Sequence, residues 1–567
     1  MIWKFRSEAL PTPPEDLDKL AASLDISGRL ARILWQRGVQ SAEEMRAFLN
    51  PSLKKLAPLG AWPGVNAAAA LLARELAGGR RMCVWGDYDV DGISAAALVL
   101  DFLRRHGIGA DWHIPDRLSE GYGLNKAGIS KAAGAGAEIL LTVDCGISDL
   151  EAVSYAKSLG LTVIISDHHL PAETLPEADA IVNPRLYPCP CPALSGVGVA
   201  FFLVAALNVE FAARGAGRVD LRDFLDLVAL GTLADVVDLN GQNRILVKNG
   251  LLKINEGARV GVAALKASCN FSPNAGLSSR QVVFTLAPRI NAAGRLGSGG
   301  SALELLLTRD RRQAAELAAE LERLNTKRRA EEEVILGQAL VQAREQADGG
   351  RRGLVLHSPA WHPGVIGIVA SRIVEALHCP TVVLSGTGES LKGSGRSVAN
   401  FDLHAAFNAC SELLLGFGGH RMAAGLSLEP HRLNEFSHRF DELAVNQLGH
   451  VPADGECRID CELNFAEADF YFLKELEILQ PFGMGNPEPV FASPPVRVKK
   501  VQNRNGFMQF ELTDEERALT RTAKIWRAEG TTSNLAGRCI RIAFSPRIDR
   551  YNGAAGVELR LKDWKDV

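Results

Sequence analysis

The chain has 567 residues, and one hydrophobic core does not extend over this length, so several globular domains are predicted. Hydrophobic residues make up 47% of the chain and charged residues 23%, a composition that excludes long disordered stretches. Its net charge of −3 excludes a uniformly basic protein that coats DNA, but residues 491–567 carry 15 Lys and Arg against 9 Asp and Glu. Binding of a polyanion is therefore expected to be local.

The sequence lacks the marks of a membrane or secreted protein. No stretch reaches the ~18 to 20 apolar residues that span a bilayer, and the most apolar run, from Gly196 to Leu207, is predicted to be a buried helix. The first residues lack the apolar core of a signal peptide. The 10 cysteines are scattered without the spacing of a zinc site, so free thiols in a reducing compartment are expected.

The first half of the chain is predicted to contain a parallel sheet. Residues 1–75 look helical and polar. Three short apolar runs rich in β-forming residues follow at residues 81–85, 139–143 and 161–166, and helical patterns separate them. Strand, helix and strand at this spacing favour an α/β domain whose strands run parallel.

The rest of the chain changes character three times. After helical segments between residues 197 and 233, a strongly helical stretch without proline covers residues 302–346, as one helix of ~70 Å or as two helices with a break. A second α/β region runs from near Gly353 to about residue 450. Short alternating segments rich in valine, phenylalanine and arginine then run to the end, which favours a small β-barrel of the OB type.

Acidic residues follow all three predicted strands. The first strand ends in GDYDVDG at residues 86–92, the second in DCG at residues 144–146 and the third in DHH at residues 167–169. Because ligands of a parallel α/β sheet bind beyond the carboxyl ends of its strands, these side chains are expected to converge on one edge. Taken alone, Asp144 is explained equally well as the N-cap of the next helix.

The three acidic clusters together predict a metal site. Negative charge crowded at one edge is costly unless cations bind there. Carboxylates with one or two imidazoles suit Mg²⁺ or Mn²⁺, and several carboxylates can share two ions ~3.5 to 4 Å apart. Such a pair activates a water and stabilises the leaving oxygen of a phosphoryl group. Cys145 is a soft ligand or, more simply, a packed thiol.

The motifs resemble those of a known family. The three strand-end motifs resemble the first three motifs of the DHH phosphoesterases, and GTLADVV at residues 231–237 resembles the fourth. EGYGLN at residues 120–125, PRINAAGRL at 288–296 and PFGMGNPEPVF at 481–491 resemble the RecJ branch of that family. Segments that begin at Trp361, Lys392 and Gly418 (WHPGVIGIVASR, KGSGRS and GGHRMAAG) resemble its DHH-associated domain. Ser94 and Asp238 depart from the usual threonine and proline, and neither is a proposed ligand.

The resemblance implies the fold. It implies an α/β protein in which a long helix joins a parallel-sheet DHH domain to a second α/β domain, followed by a small OB-type β-barrel. The expected boundaries are an N-terminal helical region (1–75), the DHH catalytic domain (76–300), the connecting helix (301–350), the DHH-associated substrate-binding domain (351–455) and the nucleic-acid-binding OB domain (456–567).

The resemblance also implies the activity. RecJ-type enzymes degrade single-stranded DNA from 5′ to 3′, release mononucleotides and act in DNA repair and recombination. It further implies a helicase and a single-strand-binding protein as partners, no membrane, and a cytoplasmic location. Two alternatives remain open: a DHH phosphodiesterase of short oligoribonucleotides, and a catalytically inactive scaffold of a replication complex, although the latter predicts lost motif acids.

The motifs also give candidate residues for the metal site. The predicted metal ligands are Asp87, Asp89, Asp91, Asp144, His168 and Asp235. Asp144 is expected to bridge the two ions. His169 is expected to act as a donor to the scissile phosphate or to the leaving group, with a purely structural role as the alternative. Asp167 is expected to orient an imidazole.

Three glycine-containing loops of the second α/β region are expected to bind phosphate, because glycine lets a phosphate approach the backbone closely. A single such loop is more often only a turn. The expected nucleic-acid-binding residues are Arg117, Arg289, Arg295, Ser371, Arg372, Ser394, Arg396, Gly419 and His420. Arg328 and Arg329 are expected to belong to a solvated face of the long helix.

Overall fold

The computed structural model describes residues 1–8, 16–117, 119–187, 189–449, 455–504, 506–526, 535–549 and 556–567. The chain forms two compact units. The larger unit consists of Ala57–Val237 and Gly250–Ala453, and the smaller unit of Met1–Leu56, Asp238–Asn249 and Asp454–Val567.

The first sheet of the larger unit has five parallel strands. From edge to edge they are Asp111–His113, Met82–Gly86, Ile139–Val143, Thr162–Ser166 and Ala180–Val182. The three central strands confirm the prediction and are almost wholly buried, which explains their continuous apolar runs. The two edge strands are only three residues long, too short to give a pattern in the sequence.

Helices connect the strands of this sheet and follow it along the chain. Within the larger unit they are Pro63–Ala77, Val90–Arg105, Lys126–Gly134, Leu150–Ser158, Gly196–Ala213, Leu225–Ala234, Val260–Ser268, Ser279–Gln281, a π-helical turn Val282–Leu286 and Ala287–Leu296. The helix Gly241–Glu256 belongs to the smaller unit as far as Asn249 and to the larger unit from Gly250. Among the described residues, Gly196–Ala213 is the one single helix long and apolar enough to cross a membrane, and 72% of it is buried. It is a core helix, as predicted.

The long helical stretch is two helices, the second of the two possibilities that the sequence left open. Gly299–Leu307 is followed by Arg311–Asp348, which has 38 residues. Thr308 is extended, with φ −65° and ψ 144°, and ends the first helix. Asp310 starts the second because its side chain accepts hydrogen bonds from the backbone N–H groups of Arg312 and Gln313.

The second sheet of the larger unit is mixed. From edge to edge its strands are Gly416–Gly419, Ala423–Leu428, Leu391–Arg396, Thr381–Ser385 and Leu354–Ser358, and only the last two run parallel to each other. Its helices are Ile366–Leu377, Leu403–Asn408 and Leu433–Leu448.

Two of the three expected phosphate loops are strands, so that part of the prediction is wrong. Gly393–Arg396 and Gly418–Gly419 lie within the second sheet. The glycines there make room for packing: a Cβ on Gly393 would lie 2.6 Å from Leu384, and one on Gly395 would lie 2.8 Å from Leu403. Close packing of side chains against the strand therefore accounts for them without a loop.

The smaller unit contains a sheet of seven strands, the last five of which close into a barrel. In order they are Cys461–Glu462, Phe491–Ala492, Cys539–Asp549, Val496–Arg504, Phe507–Asp514, Leu519–Trp526 and Gly556–Asp566, and the last also pairs with Cys539–Asp549. The barrel core is continuous with the apolar faces of the helices Leu17–Ser23, Gly28–Gln36, Ala42–Leu49 and Phe470–Ile478.

The N-terminal region is not wholly helical, which corrects the prediction for residues 1–75. It begins with a strand, Ile2–Phe5, that pairs in parallel with Glu456–Ile459. Trp3 donates a hydrogen bond from Nε1 to Asp563 at 2.8 Å. A strand whose partners lie more than 450 residues away leaves no local pattern, and this explains why the sequence did not show it.

Candidate metal centre

The first cluster of acids sits at a sharp turn from strand to helix. Asp89 caps the helix Val90–Arg105, since its Oδ1 accepts hydrogen bonds from the backbone N–H groups of Asp91 at 2.9 Å and Gly92 at 3.1 Å. A Cβ on Gly92 would lie 2.5 Å from the backbone nitrogen of Asp87, so the turn requires glycine there. Asp87 and Asp91, on either side of the cap, are both buried, and each joins a different ligand group of the site.

Asp144 follows the second strand with a left-handed backbone, at φ 63°. Its N–H continues the sheet by donating to Ser166 at 2.9 Å, and its side chain is buried. The next helix begins only at Leu150, with Asp149 at its N-cap position, so Asp144 is not the N-cap that the sequence left open. A strained backbone at a buried carboxylate is typical of a functional position.

The third strand ends in a carboxylate that orients its neighbours. Oδ1 of Asp167 accepts hydrogen bonds from the backbone N–H of His168 at 2.7 Å and from Nδ1 of His169 at 2.8 Å, and Oδ2 accepts from the N–H of Ile147 at 3.0 Å. Burial acts to raise the pKa of Asp167, but these hydrogen bonds, led by that of His169, lower it. Asp167 is therefore ionised and holds the His169 ring, which agrees with the predicted orienting role.

The N-terminus of the helix Gly196–Ala213 supports Asp91. The carboxylate of Asp91 accepts hydrogen bonds from the backbone N–H groups of Gly196 at 2.6 Å and Val197 at 3.0 Å. Gly196 must lack a side chain, because a Cβ would lie 2.4 Å from Oδ1 of Asp144. Gly231, on the helix that ends at Asp235, must lack a side chain for the same reason. A Cβ there would lie 2.5 Å from Oδ1 of Asp91.

The predicted ligands form three overlapping groups whose ligand atoms lie within 4.8 Å of one another. The groups are Asp144, His168 and His169; Asp91, His168 and Asp235; and Asp87, Asp89 and Asp144. Asp144 and His168 each occur in two groups, so they lie where two ions would share ligands. All six predicted ligands are brought together. Arg117 lies close enough to act on the pKa of Asp87.

The electrostatics of this cluster fit bound cations. Burial and then the charge of Asp89 raise the pKa of Asp91 to about 7, and burial with the charges of Asp91 and Asp89 raises the pKa of Asp235 to about 9. Burial, then the neighbouring His169, lowers the pKa of His168 to about 3, which keeps its imidazole neutral. Among the described residues, Oδ1 of Asp87, Oδ1 of Asp144 and Oδ2 of Asp235 are buried with no hydrogen-bond partner. Divalent cations would satisfy these oxygens and offset their repulsion.

A group of partly buried arginines includes Arg117, which is close enough to Asp87 to lower its pKa. The guanidinium of Arg117 lies 5.2 Å from the ring centre of Tyr88, and Arg295 donates to the backbone oxygen of Gly364 at 3.1 Å. Burial lowers the pKa of Arg295 to about 9, helped by the positive charges of Arg117, Arg328 and Arg396. These four arginines, called the arginine cluster below, form a concentration of positive charge that suits a polyanion.

Arg328 corrects the sequence analysis. Its side chain is only 12% exposed and pairs with Glu332 at 2.9 Å, so it does not belong to a solvated face. Arg372 is linked to the same carboxylate at 3.3 Å. Arg396 donates to Ser394 Oγ at 3.0 Å and to the backbone oxygen of Gly395 at 2.7 Å.

Of the other residues expected to contact nucleic acid, His420 lies beside His169 of the site, whereas Ser371 and Arg289 make contacts elsewhere. The ring of His420 lies parallel to that of His169, with centres 6.0 Å apart, and Gly419 precedes it with a left-handed φ of 133°. The hydroxyl of Ser371 donates to the backbone oxygen of Gly367, within its own helix. Arg289 is paired with Glu322 and donates to the backbone oxygen of Thr285. None of these contacts places Ser371 or Arg289 at the acids.

The loop with the EGYGLN motif supplies residues to which the sequence analysis gave no role. The hydroxyl of Tyr122 lies 3.3 Å from Nδ1 of His169 and 3.4 Å from the backbone oxygen of Asp144. Glu120 holds the loop: it accepts hydrogen bonds from the Asp116 N–H at 3.1 Å and from the Asn125 side chain at 2.9 Å. The two glycines of the motif both have positive φ, which is the signal of a fixed turn that the sequence offered.

Three known domain families match separate parts of the chain. The DHH family, N-terminal domain, matches residues 81–232, the DHHA1 domain matches residues 350–446, and the RecJ OB domain matches residues 459–563. The first covers the sheet with the acids, the second covers the mixed sheet and the third covers the barrel.

Curated relatives and solved structures agree with these matches. The chain is 39% identical over 487 residues to the single-stranded-DNA-specific exonuclease RecJ of Salmonella typhimurium (82% of this chain, 83% of that protein) and 41% identical over 480 residues to that of Dickeya dadantii (82% of each). The crystal structure of RecJ in complex with Mn²⁺ from Thermus thermophilus is similar with a TM-score of 0.85 and 31% identity, covering 100% of this chain and 80% of that one. The Mg²⁺ complex from the same organism has a TM-score of 0.78 and 30% identity, covering 100% and 78%. The chain therefore belongs to the RecJ family of DHH proteins.

Proposed function

We propose that the chain is a single-stranded-DNA-specific exonuclease that hydrolyses phosphodiester bonds with two Mg²⁺ or Mn²⁺ ions. The observation that carries this proposal is the convergence of five aspartates and two histidines at one sheet edge, where buried carboxylate oxygens lack hydrogen-bond partners among the described residues. Relatives named as such exonucleases, and RecJ structures with Mn²⁺ and Mg²⁺, support it. When bound, the two ions supply an activated water and stabilise the leaving oxygen.

The proposed ligands are Asp87, Asp89, Asp91, Asp144, His168 and Asp235. Asp144 is the proposed bridge, because it belongs to two of the ligand groups. His169 lies beside them with its Nδ1 held by Asp167, which leaves Nε2 as the atom that meets the scissile phosphate or the leaving group. Tyr122 and the parallel ring of His420 limit how far the imidazole of His169 turns.

The arginine cluster is the proposed clamp for the phosphates of the substrate. Arg117, Arg295 and Arg396 lie together, and Arg117 is close enough to Asp87 to lower its pKa, so we assign them to the strand end next to the scissile bond. Arg328 joins this set, and Arg372 adjoins it through Glu332. Buried positive charges repel one another unless anions lie between them, and nucleic-acid phosphates provide such anions.

Arg396→Ala is expected to raise KM for single-stranded DNA about 10-fold or more, because a charge-assisted hydrogen bond is worth roughly 1.5–3 kcal/mol. Any preference for a 5′-phosphorylated end should shrink, while the metal requirement stays the same. The measurement is steady-state kinetics on oligonucleotides with and without a 5′-phosphate. Arg312→Ala is the matched control, since its side chain on the long helix is 91% exposed. Unchanged KM and unchanged end preference in Arg396→Ala would place the clamp elsewhere.

Digestion of end-labelled strands tests the proposed function directly. We expect a 5′ label to appear at once in mononucleotides, a 3′ label to appear in them only late, and no hydrolysis after chelation of the metal. Duplex ends should be poor substrates. Faster turnover of a short oligoribonucleotide than of a long DNA strand would instead support the phosphodiesterase alternative, and no turnover of either would support the scaffold.

The barrel is proposed to bind the single strand through its own aromatic and basic side chains. Trp526 is about half exposed, and the guanidinium of Arg560 lies 5.7 Å from its ring. Phe507 packs beside Trp526, whereas Phe510 is fully buried in the barrel core. Aromatic rings with basic neighbours suit stacking on the bases of a single strand.

Several further features belong to the same proposal. We propose that the domain boundaries are those predicted from the sequence and that the protein is cytoplasmic. We also propose that it acts in DNA repair and recombination with a helicase and a single-strand-binding protein as partners. The basic balance of residues 491–567 supports contact with nucleic acid in that part of the chain.

A further inference from the structure

An exposed phenylalanine lies on an unusual turn of the larger unit. Phe284 is 69% exposed and sits in the π-helical turn Val282–Leu286. The residues at both ends of this turn, Val282 and Leu286, are fully buried and anchor it in the core. Exposure of a large apolar side chain to water is unfavourable in free energy, so such a residue often marks a binding site. π-Helical turns also occur often at functional sites.

The local sequence explains why the turn is there and why it is rigid. In a regular helix the ring of Pro288 would clash with the carbonyl group of Phe284, four residues earlier, and Pro288 has no N–H to donate. The wider turn relieves this conflict. Arg289 then donates from Nη1 to the backbone oxygen of Thr285 at 2.5 Å. Phe284 is therefore presented in one place.

An arginine lies beside the ring. The guanidinium of Arg280 lies 5.1 Å from the ring centre of Phe284, one helical turn earlier. The same helical run continues through Arg289 to Arg295 of the arginine cluster. An aromatic ring with an arginine beside it matches the chemistry that binds an unpaired base and its phosphate.

The turn is also continuous with the metal centre. The helix Leu225–Ala234, which ends at the proposed ligand Asp235, packs against it. In the following helix, Gly294 packs closely against the backbone oxygen of Tyr88. A Cβ at this position would lie only 2.5 Å from that oxygen. The ten residues from Phe284 to Gly294 correspond to ~15 Å along a helix, a span of a few nucleotides.

We propose that Phe284, together with Arg280, binds one base of the single strand a few nucleotides from the scissile phosphate. This inference rests on the proposed function and adds to it a site for an unpaired nucleobase, without base preference because every base has a π-face. An apolar segment of a protein partner is the competing occupant.

Fluorescence of 2-aminopurine tests the site. The base is placed at successive positions from the 5′ end of an oligothymidylate, and the full chain is added with a chelator so that no hydrolysis occurs. We expect quenching at one position that Phe284→Leu abolishes and Phe284→Trp retains, because leucine keeps the apolar bulk and loses the ring. Val334→Ala, 61% exposed on the long helix, is the control and should behave as wild type.

Kinetics give the second readout. Phe284→Leu should raise KM for a long strand about fivefold or more with kcat unchanged, and leave KM for a dinucleotide unchanged, because a dinucleotide is too short to reach the ring. Position-dependent quenching that persists in Phe284→Leu, or identical KM values for long strands, would overturn this site alone. Failure of the wild type to bind or cleave single strands would overturn the proposed function together with it.

Discussion

Asp144→Asn should lower kcat for single-stranded DNA at least about a thousandfold, because a carboxylate that holds two cations, the role proposed for Asp144, would provide several kcal/mol of charge stabilisation. Asparagine is the right substitution, since it tolerates the left-handed backbone at φ 63° and keeps the shape of the side chain. The fold should survive. Burial and four neighbouring aspartates raise the pKa of Asp144, so removal of its charge relieves repulsion in the metal-free protein.

Two measurements separate this role from a structural one. In the presence of chelator, the Tm of Asp144→Asn should equal or exceed that of the wild type. Added Mn²⁺ should raise the Tm of the wild type much more than that of the variant, because a ligand stabilises only the state that binds it. Glu151→Gln, on the helix Leu150–Ser158 and 90% exposed, is the matched control. Substantial metal-dependent hydrolysis by Asp144→Asn would contradict the two-ion assignment.

Gly196→Ala should reduce kcat about 100-fold and weaken metal binding, although Gly196 is not a ligand. The added Cβ would lie 2.4 Å from Oδ1 of Asp144 and 2.6 Å from its Cβ, so the Asp144 carboxylate must move. Displacement of a reacting group by about 1 Å costs on the order of 10²-fold in rate. The same movement would disturb the hydrogen bond from the Gly196 N–H to Asp91.

Gly198→Ala is the matched control, two residues along the same helix. There the closest atom to an added Cβ is a side-chain carbon of Leu194 at 3.1 Å, which can shift by a small amount. We expect its kcat and Mn²⁺ affinity to stay near wild type. Activity and Mn²⁺ titration of both variants provide the comparison, and equal behaviour of the two alanines would show that the crowding at Asp144 does not matter.

The sequence by itself was sufficient for the catalytic sheet and its acids. Each of the three central strands is buried on both faces and therefore reads as a continuous apolar run. An acid directly after such a strand needs no tertiary information to be placed, because parallel strands bring their carboxyl ends to one edge. For this reason Asp144 shares one ligand group with Asp87 and another with His168, as expected from the strand ends.

Glycine-rich segments were harder to interpret. Gly393 and Gly395 looked like a phosphate loop, but they are strand residues that make room for Leu384 and Leu403. Glycine lets another group come close to the backbone, and that group is either a ligand or a neighbouring side chain. The sequence does not distinguish the two, because the neighbour lies elsewhere in the chain.

Only the tertiary structure decided which distant residues support the site. Gly196 lies 105 residues from Asp91, yet its N–H binds that carboxylate. Arg328 lies on a helix with a largely polar sequence, and only packing revealed that it is buried beside Arg295. Tyr122 reaches His169 across 47 residues through a loop that Glu120 holds. The sequence determined which acids meet at the sheet edge because strand ends follow a local pattern, whereas their supports depend on long-range packing, which has no periodicity along the chain.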